Sequence, residues 1–197
     1  ACVVLDEKRT AALRGYVKDS KKLSAQQRRR LYSLIMKLAA EVKVRTVEPF
    51  EIDNAVLHYE RGLNELEAMI AASLVDSLST PVKRVYLDSP DPVPSRYAEI
   101  VRNYLRSEGV EVVASNKAED LYVQVAAASI IAKVERDRIV NELKKAYGDF
   151  GSGYPSDPKT REYVSKLLKE GADLPPIVRR SWRTLQLKAS PFRGETL

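Results

Sequence analysis

Residues 117–138 read KAEDLYVQVAAASIIAKVERDR, and this stretch carries the strongest signal in the chain. Two acids, Glu119 and Asp120, stand near its start, and an almost uncharged apolar run follows before basic residues take over. The pattern predicts a long helix from about residue 121 to 147 that is buried at its beginning and charged further along. Such a helix could hold metal ions with its acids beside a phosphate backbone.

Around this helix, segments with strand-like spacing alternate with segments of helical spacing. Strands are predicted at 3–5, 42–46, 83–87 and 110–114, and the other helices near 24–40, 63–78, 94–105 and 160–170. The alternation predicts an α/β layer architecture. In such folds, ligands bind outside the carboxyl ends of the strands, which indicates which acids to consider first.

Acidic side chains follow two of the predicted strands. Asp88 closes the strand at 83–87, and Glu119 and Asp120 come a short turn after the strand at 110–114. If these strands are neighbours, the carboxylates converge, and their hard oxygen atoms suit Mg²⁺ or Mn²⁺. The structural alternative is that Asp88 and Asp120 merely cap helices or start turns. The local sequence leaves both interpretations open.

The chain carries 33 Lys and Arg against 27 Asp and Glu, a net charge of +6. This balance favours a polyanionic partner, with nucleic acid first, although a basic soluble protein is the simpler interpretation. The candidate contacts are basic residues in loops and on one helix: Lys21, Lys22, Lys133, Arg136, Arg179 and Arg180. Solvated loops and wet helix faces are the alternatives for these positions.

Tyr154 lies in the turn-rich loop GSGYPSDP at 151–158, outside any periodic apolar face. A loop aromatic of this kind can stack on a sugar or a base. It can equally serve as a packing plug for its own loop.

Several classes of protein are excluded by composition. With one cysteine, Cys2, an internal disulfide or a zinc site built from several cysteines cannot form. No apolar run approaches the ~20 residues that a membrane helix needs. No serine or cysteine hydrolase triad, P-loop or dinucleotide glycine motif occurs. We expect a monomeric, cytoplasmic protein without a membrane contact.

Six segments, taken in order, resemble ribonuclease HII, the type 2 RNase H family, and its archaeal members in particular. They span essentially the whole chain: DSKKL at 19–23, GLNELE at 62–67, YLDSPD at 86–91, AAASIIAKVERDR at 126–138, GSGYPSD at 151–157 and PPIVRR at 175–180. The resemblance implies an RNase H-like fold with a mixed five-stranded sheet flanked by helices. It also implies a catalytic domain at 1–150 and a helical substrate-binding segment at 151–197.

The activity implied by the resemblance is metal-dependent cleavage of RNA in RNA/DNA hybrids and at single ribonucleotides in duplex DNA. The products would carry a 3′-hydroxyl and a 5′-phosphate. The family uses four carboxylates, of which Asp88 matches the third and Glu119 the fourth, with Asp120 as a substitute. Tyr154 matches the tyrosine that stacks on a sugar. The tail at 195–197 shows no convincing sliding-clamp motif.

Two departures from the family pattern bear on activity. The opening motif DEAGRG, which supplies the other two acids, is absent from the sequence. We expect it upstream of Ala1, on a first strand that this chain lacks, and therefore expect the chain as written to be inactive or nearly so. Glu119 stands where the family usually has aspartate. The competing hypotheses are a non-catalytic nucleic-acid-binding module derived from this fold and, on charge alone, an RNA-scaffold protein.

Overall fold

The computed structural model of the 197-residue chain describes residues 1–17 and 23–182. Strands and helices alternate along these residues, which confirms the α/β class. The elements are β1 (Cys2–Val4), α1 (Glu7–Val17), α2 (Ala25–Leu38), β2 (Glu41–Lys43), α3 (Pro49–His58), α4 (Gly62–Asp76), β3 (Arg84–Asp88), α5 (Pro94–Tyr104), β4 (Glu111–Ser115), α6 (Ala118–Leu121), α7 (Val123–Tyr147) and α8 (Pro158–Lys169).

The strands form two small sheets in the described part of the chain. β1 pairs with β2 in antiparallel fashion, and β3 pairs with β4 in parallel. Both directions of pairing are present, as expected for a mixed architecture. The single five-stranded sheet implied by the resemblance is not what these residues form. The hydrogen bonds of each three- to five-residue strand run to one partner strand only.

Helix α2 begins where its capping residues predict. Ser24 is the N-cap, and its hydroxyl accepts from the Gln27 amide over 3.2 Å. The Gln27 side chain accepts in return from the Ser24 amide over 2.8 Å. This capping box satisfies two amides that lack partners within the helix. Leu31 and Ile35, one turn apart, then face the core.

The long helix predicted at 121–147 is interrupted near its start. Tyr122 has an extended backbone, with φ −121° and ψ 121°, and separates α6 from α7. The Tyr122 ring stacks on Tyr86 of β3 with 4.2 Å between ring centroids. The helix therefore breaks at a residue that stacks on another element, and no glycine or proline in the sequence indicates the break. At the other end, Gly148 has φ 78°, as expected of the glycine that follows a helix.

Two helices are missing from the sequence predictions. No helix is predicted directly after the strand at 3–5, but α1 begins at Glu7, and Oδ1 of Asp6, the preceding residue, accepts from the Arg9 amide over 2.7 Å. Helix α3 begins at Pro49, in the favoured first position of a helix. Each helix buries few side chains, Leu13 and Val17 in α1 and Ala55 in α3, so neither shows a clear apolar stripe.

The chain divides into two compact units, and α7 contributes residues to both. The first comprises residues 1–46 and 64–138, and the second comprises residues 47–63 and 139–197. The sequence instead predicts a division by function, into a catalytic domain at 1–150 and a substrate-binding segment at 151–197. That division stays a prediction. None of the described helices combines the length and the apolar composition that crossing a bilayer requires.

The first unit contains two apolar clusters. One packs the start of α7 against β1 and the helices α1 and α2, with Leu13, Ile35, Ile130 and Ile131 fully buried. Ala127 is also fully buried there, because its small side chain allows α7 to approach its neighbours closely. The other packs α4 and α5 against β4. The first cluster therefore includes the start of α7, which follows the β3–β4 sheet in the chain, and the second packs directly on that sheet.

The second unit has a small core around Val164 and Val178, against which Trp182 packs. A tight loop precedes α8. The Asp157 side chain caps that helix, since its Oδ1 accepts from the Lys159 amide over 3.0 Å. Gly151 lies against this cap with φ 76°, and a Cβ at Gly151 would meet the Asp157 Oδ2 at 2.5 Å.

Gly151 and Gly148 offer a matched test of this packing. Both have positive φ, but a Cβ at Gly148 meets nothing within 4 Å. Gly148→Ala should cost about 1–2 kcal/mol of unfolding free energy from the backbone conformation alone. Gly151→Ala should cost roughly 1–3 kcal/mol more, because Asp157 and the start of α8 must shift. Urea unfolding followed by the fluorescence of Trp182, the one tryptophan in the chain, measures both. Equal losses would show that the loop yields without cost.

Candidate active site

The parallel strands β3 and β4 end side by side, which is the arrangement that convergence of the acids requires. Their register pairs Asp88, the last residue of β3, with Ser115, the last residue of β4. The pairing extends one step further, because the Ser89 amide donates to the Ser115 carbonyl over 3.0 Å. The turns that follow the two strands therefore begin next to each other.

The carboxylate of Asp88 reaches the turn that follows β4. Its Oδ1 accepts a hydrogen bond from the amide of Ala118, the first residue of α6, over 2.8 Å. Amides at the start of a helix lack helical partners, so Asp88 makes the kind of capping contact that the structural alternative anticipated. The same bond ties Asp88 to the residue directly before Glu119.

Glu119 and Asp120 have different surroundings although they are neighbours in α6. Glu119 is half-buried, and its Oε2 accepts from the Ser129 hydroxyl of α7 over 3.2 Å. Asp120 is exposed. Its structural alternative, a helix cap, does not hold, because Lys117 occupies the N-cap position of α6. Its role as a substitute for Glu119 stays a prediction. Of the two acids, Glu119 is the one whose carboxylate is held by another helix.

A further acid close to Asp88 was missed by the sequence analysis. Partial burial raises the pKa of Glu67, on α4, above its ordinary value, and the negative charge of Asp88 raises it further. Burial also raises the pKa of Tyr97, on α5, with added effects from the charges of Glu67 and Asp88. Glu67 and Tyr97 therefore lie near enough to Asp88 for its charge to act on them. Glu67 lies inside the segment GLNELE, next to the buried Leu66, and this was its one signal in the sequence.

The donor atoms around Asp88 suit a hard divalent cation. Asp88 and Glu119 offer carboxylate oxygens, and Mg²⁺ is commonly held by one or two carboxylates with water in its remaining positions. Across residues 1–17 and 23–182, no group of three or more histidine, cysteine, aspartate or glutamate side chains could enclose a metal ion. A cation bound by Asp88 and Glu119 would therefore need its remaining ligands from water or from phosphate oxygens.

Tyr154 lies in the second unit, on a loop that is held by hydrogen bonds to Thr160. Thr160 is buried, and its hydroxyl donates to the Phe150 carbonyl over 2.8 Å and accepts from the Gly153 amide over 3.0 Å. These bonds hold both sides of the loop at 151–157. Tyr154 itself is 54% exposed. The loop therefore presents an aromatic face on a rigid support.

The basic part of α7 is partly neutralised by acids of the same helix. Lys133 and Arg136 are both half-buried. Arg136 Nη1 lies 3.8 Å from Asp137 Oδ1. Arg138 Nη2 lies 2.9 Å from Glu135 Oε2. These ion pairs therefore neutralise part of the positive charge that was predicted to contact a polyanion. Lys21 and Lys22 lie outside the described residues.

The basic segment near residue 180 is fixed by α3. The carboxylate of Asp53 accepts from the amides of Arg180 and Ser181 over 2.8 and 2.9 Å. The Arg179 side chain is half-buried, and its Nη2 lies 3.5 Å from Ser181 Oγ, whereas Arg180 is exposed. Asp53 was missed because its helix was missed. The structure presents Arg180 more openly than Arg179.

Comparisons with known proteins match this chain over nearly its whole length. The family model for Ribonuclease HII matches residues 1–185. A ribonuclease HII from Thermofilum pendens is 48% identical over 189 residues, covering 93% of this chain and 88% of that protein. The crystal structure of ribonuclease H2 from Pyrococcus horikoshii OT3 matches with a TM-score of 0.84 at 43% identity, over 93% of this chain and 85% of that one.

A second solved structure, the PCNA:RNase HII complex from Archaeoglobus fulgidus, matches with a TM-score of 0.78 at 38% identity. This match covers 100% of this chain and 88% of that one. These likenesses confirm the RNase H-like fold implied by the sequence resemblance. The chain belongs to the ribonuclease HII family of endoribonucleases.

Proposed function

We propose that this chain acts as a metal-dependent ribonuclease H on RNA/DNA hybrids and on single ribonucleotides embedded in duplex DNA. Cleavage would leave a 3′-hydroxyl and a 5′-phosphate. The observation that carries the proposal is the bond between Asp88 Oδ1 and the Ala118 amide, 2.8 Å long. It brings Asp88 and Glu119, the two acids with metal-ligand chemistry, to the same edge of the β3–β4 sheet.

Asp88 and Glu119 would hold the cation, with Mg²⁺ or Mn²⁺ as the candidates. When bound, such an ion polarises phosphate oxygens and makes water a stronger nucleophile. The Ala118 amide orients Asp88, and the Ser129 hydroxyl orients Glu119. The raised pKa of Glu67, due partly to the charge of Asp88, supports a local excess of negative charge that a divalent cation would relieve.

Substrate binding is proposed for the basic and aromatic positions outside the acids. Tyr154 would stack on a sugar, and Arg180 would contact phosphate, since both side chains are exposed. Lys133, Arg136 and Arg179 are proposed as weaker contacts, because each is half-buried. Lys21 and Lys22 stay predictions from the sequence. The net charge of +6 favours approach to a polyanion of any sequence.

Other partners and states receive less support. The complex with PCNA is a property of the protein from A. fulgidus, and the tail in which a clamp motif was sought lies outside the described residues. A monomeric state and a cytoplasmic location stay predictions. A binding module without catalysis is not favoured, because the family matched along the chain consists of ribonucleases.

The first prediction from this proposal separates the acids of the site. Asp88→Asn and Glu119→Gln should each lower kcat at least about 100-fold, since even the outer partners of metal ligands are commonly worth 10- to 100-fold. Asp120→Asn, a matched change on an exposed neighbour, should leave kcat close to that of the unchanged chain. The measurement is cleavage of a duplex holding one ribonucleotide in Mg²⁺ or Mn²⁺.

This assay needs a form with measurable cleavage, either the 197-residue chain or the same chain preceded by a strand carrying DEAGRG. Hybrid binding by fluorescence anisotropy should survive all three substitutions. A large loss with Asp120→Asn and none with Glu119→Gln would reverse the assignment of the two acids. Full cleavage by Asp88→Asn would overturn the proposed site.

The second prediction concerns Tyr154. Tyr154→Ala should weaken binding of a ribonucleotide-containing duplex by about 5- to 150-fold, the equivalent of one aromatic stack worth ~1–3 kcal/mol. Tyr154→Phe should bind almost as well as the unchanged chain, because the ring is kept. Tyr16→Ala is the control, since Tyr16 is similarly exposed, at 61% against 54% for Tyr154. Similar affinities for Tyr154→Ala and Tyr16→Ala would remove Tyr154 from the substrate site.

A further inference from the structure

Asn116 joins the turn after β4 to the turn after β3 through its side chain. Its carboxamide Nδ2 donates to the Ser89 carbonyl over 3.3 Å and to the Asp91 carbonyl over 2.9 Å. A primary amide has two N–H donors, and both are used here on carbonyls of a single turn. The side chain therefore acts as a two-point bracket between segments that are 25 or more residues apart.

The accepting turn is itself rigid. Ser89 and Asp91 are buried, and the Ser89 hydroxyl donates to the Asp91 carbonyl over 2.9 Å. The Asp91 Oδ1 accepts from the Val93 amide over 2.7 Å, which fixes the approach to α5. Asn116 is thus anchored to a preformed structure and not to a loose loop.

Lys117, which lies between Asn116 and Ala118, has an unfavourable backbone conformation. Lys117 has φ 55° and ψ 38°, a left-handed conformation that costs a non-glycine residue about 1–2 kcal/mol. Such a conformation persists only where the surroundings hold it. Asn116 holds one side of Lys117 through its carboxamide, and Ala118 holds the other through its bond to Asp88. The left-handed turn in between directs the chain into α6, which carries Glu119.

We infer that Asn116 is a positioning residue of the metal site, which it serves by holding the left-handed turn at Lys117 so that Glu119 stays beside Asp88. The inference rests on the proposed function of these two acids and assigns Asn116 no contact with metal or substrate. Loss of the Asn116 hydrogen bonds should therefore weaken the hydrogen bond between the Ala118 amide and Asp88. The placement of Glu119 beside Asp88 should become less well defined as a result.

The test uses the 197-residue chain with Asn116→Ala, which removes both donors without adding charge. Asn103→Ala on α5 is the control, because Asn103 is exposed and belongs to the same unit. Hydrogen exchange of the Ala118 amide, measured by NMR, should quicken roughly fivefold or more in Asn116→Ala, as expected for losing support of one hydrogen bond. Asn103→Ala should leave it unchanged.

A second measurement titrates Mn²⁺ alone and follows the broadening of amide signals around Asp88 and Glu119. The Mn²⁺ concentration for half-maximal broadening should rise about 10-fold or more in Asn116→Ala, the usual size of the effect of an outer partner. If that variant fails to fold, Asn116→His carries the test, since its ring keeps one N–H donor and should shift both measurements in the same direction.

Unchanged Ala118 exchange and Mn²⁺ broadening in a folded Asn116 variant would overturn the inference. Asp88→Asn distinguishes this outcome from failure of the proposed function. If Asp88→Asn weakens Mn²⁺ broadening while the Asn116 variants do not, only the positioning role fails. If Asp88→Asn leaves the broadening unchanged, the metal site itself is wrong, and the role inferred for Asn116 fails with it.

Discussion

Parallel pairing of β3 with β4 is the constraint on which the candidate site depends. Parallel strands end at the same edge of a sheet, so the register of Asp88 with Ser115 brings two turns together that are separated by a whole helix in sequence. The Asp88–Ala118 bond then converts adjacency into a defined contact. Without this pairing, Asp88 and Glu119 would be two unrelated surface acids.

The polar contacts at this edge hold the backbone in place and would also suit the proposed metal site. A carboxylate that accepts from a backbone amide is held in one orientation, as a metal ligand must be, and loses little rotamer freedom when a cation arrives. Asp88 is oriented in this way by the Ala118 amide, and Glu119 is oriented by the Ser129 hydroxyl instead. The capping and metal-binding interpretations of Asp88, which are alternatives in the sequence, are therefore compatible in the fold.

The sequence predicts those elements whose signals are local and misses those that depend on contacts between distant parts of the chain. Helix α2 was predictable because its capping residues and apolar spacing are local. Helices α1 and α3 were missed because they bury little and so lack a stripe. The break at Tyr122 was missed because its ring stacks on Tyr86, a contact that no local pattern encodes.

The site shows the same division. The placement of Asp88 and Glu119 at one edge of the sheet was predictable because each follows an apolar strand by a short distance, and their role in catalysis stays a proposal. Asn116 and Ser129 were not predictable, since their roles come from contacts with Asp91 and Glu119, made through the tertiary fold. Glu67 falls between the two cases: its segment was noticed, but its proximity to Asp88 depends on the placement of α4 against β3 and α5.

The glutamate at position 119, where the resembling family usually has aspartate, can be understood from these contacts. Glutamate is longer than aspartate by one methylene and has one more rotatable bond, so its carboxylate reaches further but is less well fixed. Ser129 removes part of that freedom by donating to Oε2 from the apolar opening of α7. Glu119 is therefore held by α7 through a side-chain bond, which compensates in part for the freedom that its extra methylene adds.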